Sequence, residues 1–275
     1  MKTRAFLALS FPVLFFLFSG LASSGDLASG AEKGIPVLLY HRFGPVVSDR
    51  MTVTTAVFES HLKYLQDNGY RVISAREMLD HHLKSVLPPD SRLVVITADD
   101  AHVSVYTTAL PLIKKYRVPV TLFIYPSAVS NASYAMTWEQ LRELKATGLF
   151  DLHSHTYWHP NFKKERARLS AAQFEKLVDM QFRKSREKLK KELQVKADLL
   201  AWPFGIHDPW LMDKAAQAGY TAAFTIERFP ASRNDHPMAL PRYLMKDADR
   251  GKAFEKIVSG YTAHGKKGNG NGKRG

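Results

Sequence analysis

Short apolar runs and helix-patterned segments take turns along most of this chain. Pro36–Tyr40, Tyr70–Ile73, Leu93–Thr97, Val120–Ile124, Phe150–His153, Leu199–Trp202 and Ala222–Ile226 read as strands, and most of them are apolar throughout. Runs without polar alternation suit strands buried on both faces. Between them lie helical patterns with recognisable ends. Thr55 caps a segment carrying Phe58, Leu62 and Leu65 and stopped by Asn68-Gly69. Ser74 opens a helix through Leu83. Further helices are expected over Tyr106–Tyr116, from Thr137 to Thr147-Gly148, over Ser170–Leu193, and from Asp208 to Gly219. About seven strand–helix units in succession dictate an α/β fold: a parallel sheet covered by helices. A (β/α)7-type barrel fits, with its site at the C-terminal ends of the strands. A chain of 275 residues admits one or two domains. No repeat or internal linker divides it, so one domain is expected over residues 32–264.

The two ends differ from this middle. Lys2 and Arg4 precede the apolar stretch Ala5–Leu21, and small residues follow in Ala22-Ser23-Ser24-Gly25 and Ala28-Ser29-Gly30-Ala31. That is the layout of an export signal over residues 1–31, cleaved after Ser24 or Ala31, or else kept as a membrane anchor. A periplasmic or extracellular location follows from either. Residues 265–275 are a Gly-rich basic tail and are expected to be disordered. The formal net charge is +13, and its densest part is Lys163–Lys196, with twelve Lys or Arg against five acids. Leu and Phe recur there at helical spacing. The stretch therefore reads either as a solvated helix face or, with the tail, as a contact for an anionic surface. No nucleic-acid-binding module accompanies it, and no protein partner can be inferred.

There is no cysteine, which excludes disulfides, thiolate metal sites and thiol nucleophiles. Chemistry must come from His, Asp, Glu, Ser or Lys, or from a metal held by oxygen and nitrogen. Two polar pairs follow predicted strands. Asp99-Asp100 closes the most apolar strand, where carboxylates are costly unless paired or metal-bound. His155 and His159 share an i, i+4 spacing that lets both imidazoles reach one cation. The zinc-protease motif His-Glu-x-x-His is absent, because Thr156 stands where its Glu would be. Together the pairs offer two histidines and one carboxylate as metal ligands, with one carboxylate to spare. Phosphate-binding Gly-rich loops and the Gly-x-Ser-x-Gly elbow are also absent.

Thr97-Ala98-Asp99-Asp100-Ala101 resembles the Thr-Phe-Asp-Asp-Gly motif of NodB-type polysaccharide deacetylases, family-four carbohydrate esterases. His155-Thr156-Tyr157-Trp158-His159 matches their His-Ser/Thr-x-x-His motif. Ala201-Trp202-Pro203-Phe204-Gly205 resembles their Arg-x-Pro-Tyr/Phe motif. Order and spacing agree over roughly Ile35–Arg242. Leu39-Tyr40-His41 resembles the family's Leu-x-His motif, which opens the domain only in circularly permuted members. Those members resemble exported deacetylases of biofilm poly-β-1,6-N-acetylglucosamine.

The resemblance implies a distorted barrel and hydrolysis of N-acetyl groups on an N-acetylglucosamine polymer; peptidoglycan or a chitin-like glycan are the alternative substrates. It implies one divalent metal, zinc by default, with nickel, cobalt or iron as alternatives, held by Asp100, His155 and His159. It makes Asp99 the base, His41 the acid that protonates the leaving amine, and Phe204 the donor of an oxyanion N–H. Trp158, Trp202 and Arg242 are candidate substrate residues; for the two tryptophans and Tyr157, which adjoin the motifs, core packing is an equal alternative to stacking on sugar rings. His102 can face the same pocket, whereas His153 reads as a paired interior residue and His81-His82 as surface.

The sequence departs from the family pattern at Ala98, Ala101 and Ala201, the last standing where an Arg commonly orients the base. Arg242 is a candidate replacement in space. No match to the family's Asp-x-x-Asp-Trp motif is evident. A non-catalytic metal- or glycan-binding relative, another metal hydrolase such as a phosphoesterase, and plain packed polar pairs are the rival readings.

Overall fold

A computed structural model describes residues 33–260, apart from residues 86 and 89. The expected export signal and basic tail lie outside the described residues. The elements in chain order are β1 (Val37–Tyr40), β2 (Arg42–Gly44), β3 (Thr52–Thr54), α1 (Thr55–Asp67), β4 (Arg71–Ile73), α2 (Ala75–Asp80), β5 (Leu93–Ala98), α3 (Leu110–Tyr116), β6 (Val120–Ile124), α4 (Trp138–Ala146), β7 (Phe150–Ser154), α5 (Phe162–Arg168), α6 (Ala171–Leu193), β8 (Leu199–Ala201), α7 (Pro209–Gln217), β9 (Ala222–Phe224), β10 (Tyr243–Leu244) and α8 (Lys252–Val258).

All seven expected strands are present and pair in parallel, in the order β10-β1-β5-β6-β7-β8-β9 with β4 against β5. Val95 pairs with both Val37 and Ile73, so β1 and β4 lie on opposite edges of β5. β6 takes up the β4 edge higher on the same strand, at Thr97 and Ala98. β4 is therefore a wedge at the base of the sheet rather than a full stave. Its place in the ring is taken by β10, which pairs with Leu38 and Leu39 of β1. Two residues behind Pro241 and Arg242 carry no strand pattern, so β10 is silent in the sequence. The ring is not closed by a continuous ladder. Between β9 and β10 it is bridged by Leu240, whose N–H donates to Ala223 O and whose O accepts from Thr225 N–H. The fold is the distorted barrel expected.

Strand alternation sorts the core and aims the site. Val94, Ile96 and Ala98 pack outward with Phe58, Leu62 and Ile113 of the covering helices. Val95 points inward with Val37, Phe123, Leu199 and Phe224. The inward register continues as Val95, Thr97, Asp99 on β5 and Asp151, His153, His155 on β7. Asp99 and His155 thus emerge at the top of two interior columns, at the rim where parallel strands end.

Local differences from the sequence reading have plain causes. Thr54 rather than Thr55 is the cap of α1, its Oγ1 accepting from Val57 N–H. Helix α2 stops at Asp80, and His82–Lys84 form a separate 3-10 turn. Val105–Ala109 is wound as a π-helix ahead of α3, with Leu110 N–H reaching back to Val105 O. Pro111 has no N–H to continue an ordinary ladder there. On α6, Arg183, Lys188 and the facing Lys214 of α7 are tied to Glu187, Glu192, Glu175 and Asp179. That pairing favours the solvated-face reading of the basic stretch.

His61 of α1 is buried and wedged between the two ends of the fold. One ring nitrogen meets Tyr40 OH at 2.9 Å, the other meets Asp249 O at 2.5 Å, and the ring stacks on Phe254 at 3.9 Å. A carbonyl only accepts, so Nε2 carries the proton and Nδ1 accepts from Tyr40. Burial pushes the pKa of His61 down to about 4. The unfolded chain therefore binds more protons than the native one between about pH 6.5 and 4. The stability His61 contributes is complete above pH 6.5 and falls by about 3 kcal/mol as the pH drops to 4. Thermal unfolding of His61→Leu should show a shallower loss of stability over this range than the parent. Parallel pH profiles would discard the assignment.

Candidate active site

Asp99 is held by a buried ion pair. Asp99 follows β5 and its N–H donates to Tyr40 O of the adjacent β1, which fixes the turn. Its carboxylate receives both arms of Arg242, Nη1 to Oδ1 and Nη2 to Oδ2, each at 2.8 Å. Arg242 is fully buried, and its remaining donors reach Thr225 O and Thr97 Oγ1. Its guanidinium lies over the rings of Phe123 and Phe224. A planar fork on a carboxylate is the strongest of the common ion-pair geometries. Ala201, where the family pattern has Arg, leaves room at the end of β8. Arg242 supplies a guanidinium from the connection between β9 and β10 instead. With no exposed surface, Arg242 pairs with Asp99 and does not meet a substrate.

Asp100, His155 and His159 form the one cluster of potential metal ligands among the described residues, with ligand atoms within 4.8 Å of one another. His155 Nε2 and His159 Nε2 lie 3.6 and 3.9 Å from Asp100 Oδ1. Two ligands on a tetrahedral ion, with bonds of about 2.0–2.2 Å, are separated by roughly 3.4 Å, so small side-chain shifts seat a cation here. The tautomer of His155 also fits. Its Nδ1 is 2.8 Å from Ala201 O, a pure acceptor, so Nδ1 bears the hydrogen and Nε2 turns a lone pair to the site. The methyl side chain of Ala201 thus coexists with a backbone role for that residue.

The loops carrying these groups are wound tightly. Asp100, Ala101, Thr156, His159 and Phe204 all have positive φ, five of the eight such non-glycine residues described. Left-handed backbone costs L-residues about 1–2 kcal/mol each, and its concentration at one rim is a mark of a functional site. Ala101, at φ 53°, occupies the place of the family's Gly, which explains why Gly is common there. The His loop is held from below by Gln181, buried in the middle of α6, whose Oε1 accepts from the N–H of both Tyr157 and Trp158 at 3.0 Å. Ala98 pairs in register with Tyr40, and the rings of Tyr40, Phe43 and Phe58 pack on its side of the sheet.

Electrostatics separate the two carboxylates. Burial alone raises the pKa of Asp99, but Arg242, His155 and His41 outweigh it and hold the carboxyl at about 2. Asp100 is raised by burial, with the adjacent Asp99 charge adding to the effect and His41 and His159 opposing it. Burial keeps His155 below its usual range, and burial together with the neighbouring His155 brings His159 to about 4. Both imidazoles are therefore neutral at pH 7, the form that ligates metal.

The remaining sequence candidates divide. His41 follows β1 and is nearly buried, and its Nδ1 has no hydrogen-bond partner among the described residues. Its electrostatic neighbours are Asp99, Asp100, Arg242 and His155, so it belongs to the site. Phe204 sits in the turn after β8, 55% exposed, with its ring 4.6 Å from that of His159. Trp158 is exposed at the rim. Trp202 is not a substrate residue: it is 1% exposed, its indole N–H donates to Met238 O, and it packs on Phe162 and Phe182. Strand parity turns it outward under α6. His153 is an interior residue paired with Asp151, and His102 stacks on Tyr134. Tyr125, directly after β6, was not among the candidates, yet its ring is 5.4 Å from that of His159. Its position one residue past a strand end was the available signal.

Comparisons with known proteins agree with this geometry. The sequence profile described as polysaccharide deacetylase matches residues 87–223, leaving His41 and Arg242 outside on either side. A poly-β-1,6-N-acetyl-D-glucosamine N-deacetylase of Staphylococcus aureus is 27% identical over 212 residues, covering 75% of this chain and 71% of its own. The solved structure of IcaB from Ammonifex degensii superposes with a TM-score of 0.70 at 27% identity, covering 82% of this chain and 97% of that one. The deacetylase PplD of Streptococcus pyogenes shares the fold, with a TM-score of 0.72 at 22% identity, covering 82% of this chain and 98% of that one. With a clamped carboxylate and a His-His-Asp cluster on one barrel rim, the chain carries a polysaccharide deacetylase domain.

Proposed function

We propose that the protein removes N-acetyl groups from poly-β-1,6-N-acetylglucosamine outside the cytoplasm, using Asp99 as base and a divalent metal, zinc by default, on Asp100, His155 and His159. The observation that carries this reading is the adjacency of an ionised, Arg242-clamped carboxylate to a cluster of Asp100 and two neutral histidines. A divalent cation held by Asp100, His155 and His159 would supply Lewis-acid chemistry, favouring polarisation of the amide carbonyl and activation of the attacking water. Asp99, ionised across the physiological range, accepts the proton of the attacking water. Arg242 holds the carboxylate in place while it does so. The backbone N–H of Phe204 is assigned to the developing oxyanion. Burial holds the His41 pKa below its usual range, so the imidazole must first take up a proton, which the nearby Asp99 and Asp100 favour, and then gives it to the departing amine, which is too basic to leave unaided. An unpartnered, buried imidazole nitrogen suits a group whose partner arrives with the substrate. The polymer assignment is supported by the named activity of the Staphylococcus aureus relative and by the permuted motif order. Export is supported by residues 1–31 alone.

The test is acetate release from a β-1,6-linked N-acetylglucosamine oligomer by metal-loaded protein, beside peptidoglycan and chitin oligomers. His41→Ala should lower kcat on the N-acetyl substrate by about 10²–10⁴, the usual size of a lost general acid. It should have far less effect on an aryl acetate, whose phenolate needs no proton, and none on metal content. Equal losses on both substrates would remove His41 from the acid role.

A further inference from the structure

Seven large hydrophobic side chains are exposed among the described residues, and six of them occupy loops beyond strand C-termini: Val46, Val47, Tyr134, Trp158, Phe204 and Ile226. Val46 and Val47 follow β2 of the separate two-stranded sheet, whereas Tyr134, Trp158, Phe204 and Ile226 follow β6, β7, β8 and β9 of the barrel, on the side where a ligand would dock. Tyr134 stands apart because the fold immobilises it from three directions.

Its backbone is the first tie. Val103 N–H donates to Tyr134 O, and Met136 N–H donates to Ala101 O, so residues 134–136 run antiparallel to the segment that follows Asp99-Asp100. The second is a neighbouring ring. The imidazole of His102 lies 6.2 Å away and within 15° of parallel. His102 is itself fixed, with Nδ1 2.8 Å from Ser104 Oγ, which also accepts Phe43 N–H. The third is a hydroxyl pair between Tyr134 and Tyr125, whose ring neighbours both His159 and His155.

The result is a ring that cannot swing, is 42% exposed, and is joined to the ligand cluster through one intervening aromatic. When two hydroxyls pair, one O–H is consumed and the other proton is free to point elsewhere. The pair therefore offers a flat apolar face and one hydrogen-bond donor side by side. A pyranose presents the complement: a face of C–H groups and, at its edge, hydroxyl and acetamido oxygens. Aromatic faces with a few placed polar groups are how such ligands are held. We propose that Tyr134 is a stacking platform for the sugar next to the one being deacetylated, with the Tyr125–Tyr134 hydroxyl pair donating one hydrogen bond to it.

This rests on the deacetylase reading above and adds a requirement for chain length. The experiment compares a β-1,6-linked N-acetylglucosamine pentamer with p-nitrophenyl acetate as substrates of metal-loaded protein. Tyr134→Ala should raise KM for the pentamer about two- to tenfold, the size of one aromatic stacking contact. Turnover number on the pentamer, and kcat/KM on the aryl acetate, should change by less than about twofold, the signature of lost binding away from the reacting atoms. Tyr134→Phe, which keeps the face, should recover most of the KM. An unchanged KM in Tyr134→Ala, equal losses on both substrates, or a Phe variant as impaired as Ala would overturn the platform. Should the parent release no acetate from any glycan, the deacetylase reading fails by itself. Calorimetric titration of the pentamer then decides the platform: weaker binding to Tyr134→Ala keeps it, and equal or no binding overturns it.

Discussion

Replacing Arg242 by Met should destabilise the protein by about 3–5 kcal/mol, because Asp99 would be left as a buried charge without its partner. For a domain of this size that corresponds to a fall in Tm of roughly 10 °C. The same substitution should change the acid side of the pH–rate profile. Asp99 is held at about 2 against a burial effect that acts upward, and Arg242 is the largest of the groups holding it there. Without the guanidinium the carboxyl rises toward neutrality, so kcat/KM should fall between pH 7 and 5, where the parent is flat in this group. Arg242→Lys keeps the charge but not the two-pronged contact, and should lie between the two. Thermal melts with a pH series of initial rates check both halves. A melting temperature and an acid limb that both match the parent would show that the pair is dispensable.

The second large effect separates the adjacent carboxylates. Asp99→Asn should retain the metal and lose about 10²–10⁴ in kcat, since it removes a proton acceptor and leaves the ligand set intact. Asp100→Asn should lose metal, and its activity should be partly restored by raising the metal concentration, whereas that of Asp99→Asn should not. Metal content by elemental analysis, read beside turnover at two metal concentrations, distinguishes them. Equal metal loss in both variants would reverse the assignment or merge it.

The parallel sheet was legible because seven apolar runs of strand length announce themselves through composition alone. The Asp100, His155 and His159 cluster was legible because two polar pairs interrupt those runs at their ends, where solvation has to be replaced by something. Arg242 was only half legible. Nothing local marks an arginine after Leu240-Pro241 as buried; the need arises from Ala201 and Asp99, residues distant in sequence that share its space. Trp202 was left open between sugar stacking and core, because a motif places it near the site along the chain, while strand parity, which needs the register, turns its ring into the core. β10 escaped because two residues cannot display a period. Tyr125 and Tyr134 escaped because loops have no periodicity, and only their pairing across nine residues gives them meaning.

The pairing of β10 with β1 has a consequence for the order of folding. Asp100, His155 and His159 are brought together by β5 and β7 and the strand between them, neighbours in sequence as well as in space. The guanidinium that clamps Asp99 arrives only when the chain returns to its first strand, across more than two hundred residues from Leu38 to Tyr243. Contacts of such long range form late, because their loop-closure entropy must be met first. A nascent or partly folded molecule can thus assemble the His-His-Asp cluster before Asp99 has its clamp. Competence for chemistry is deferred until the ring has shut.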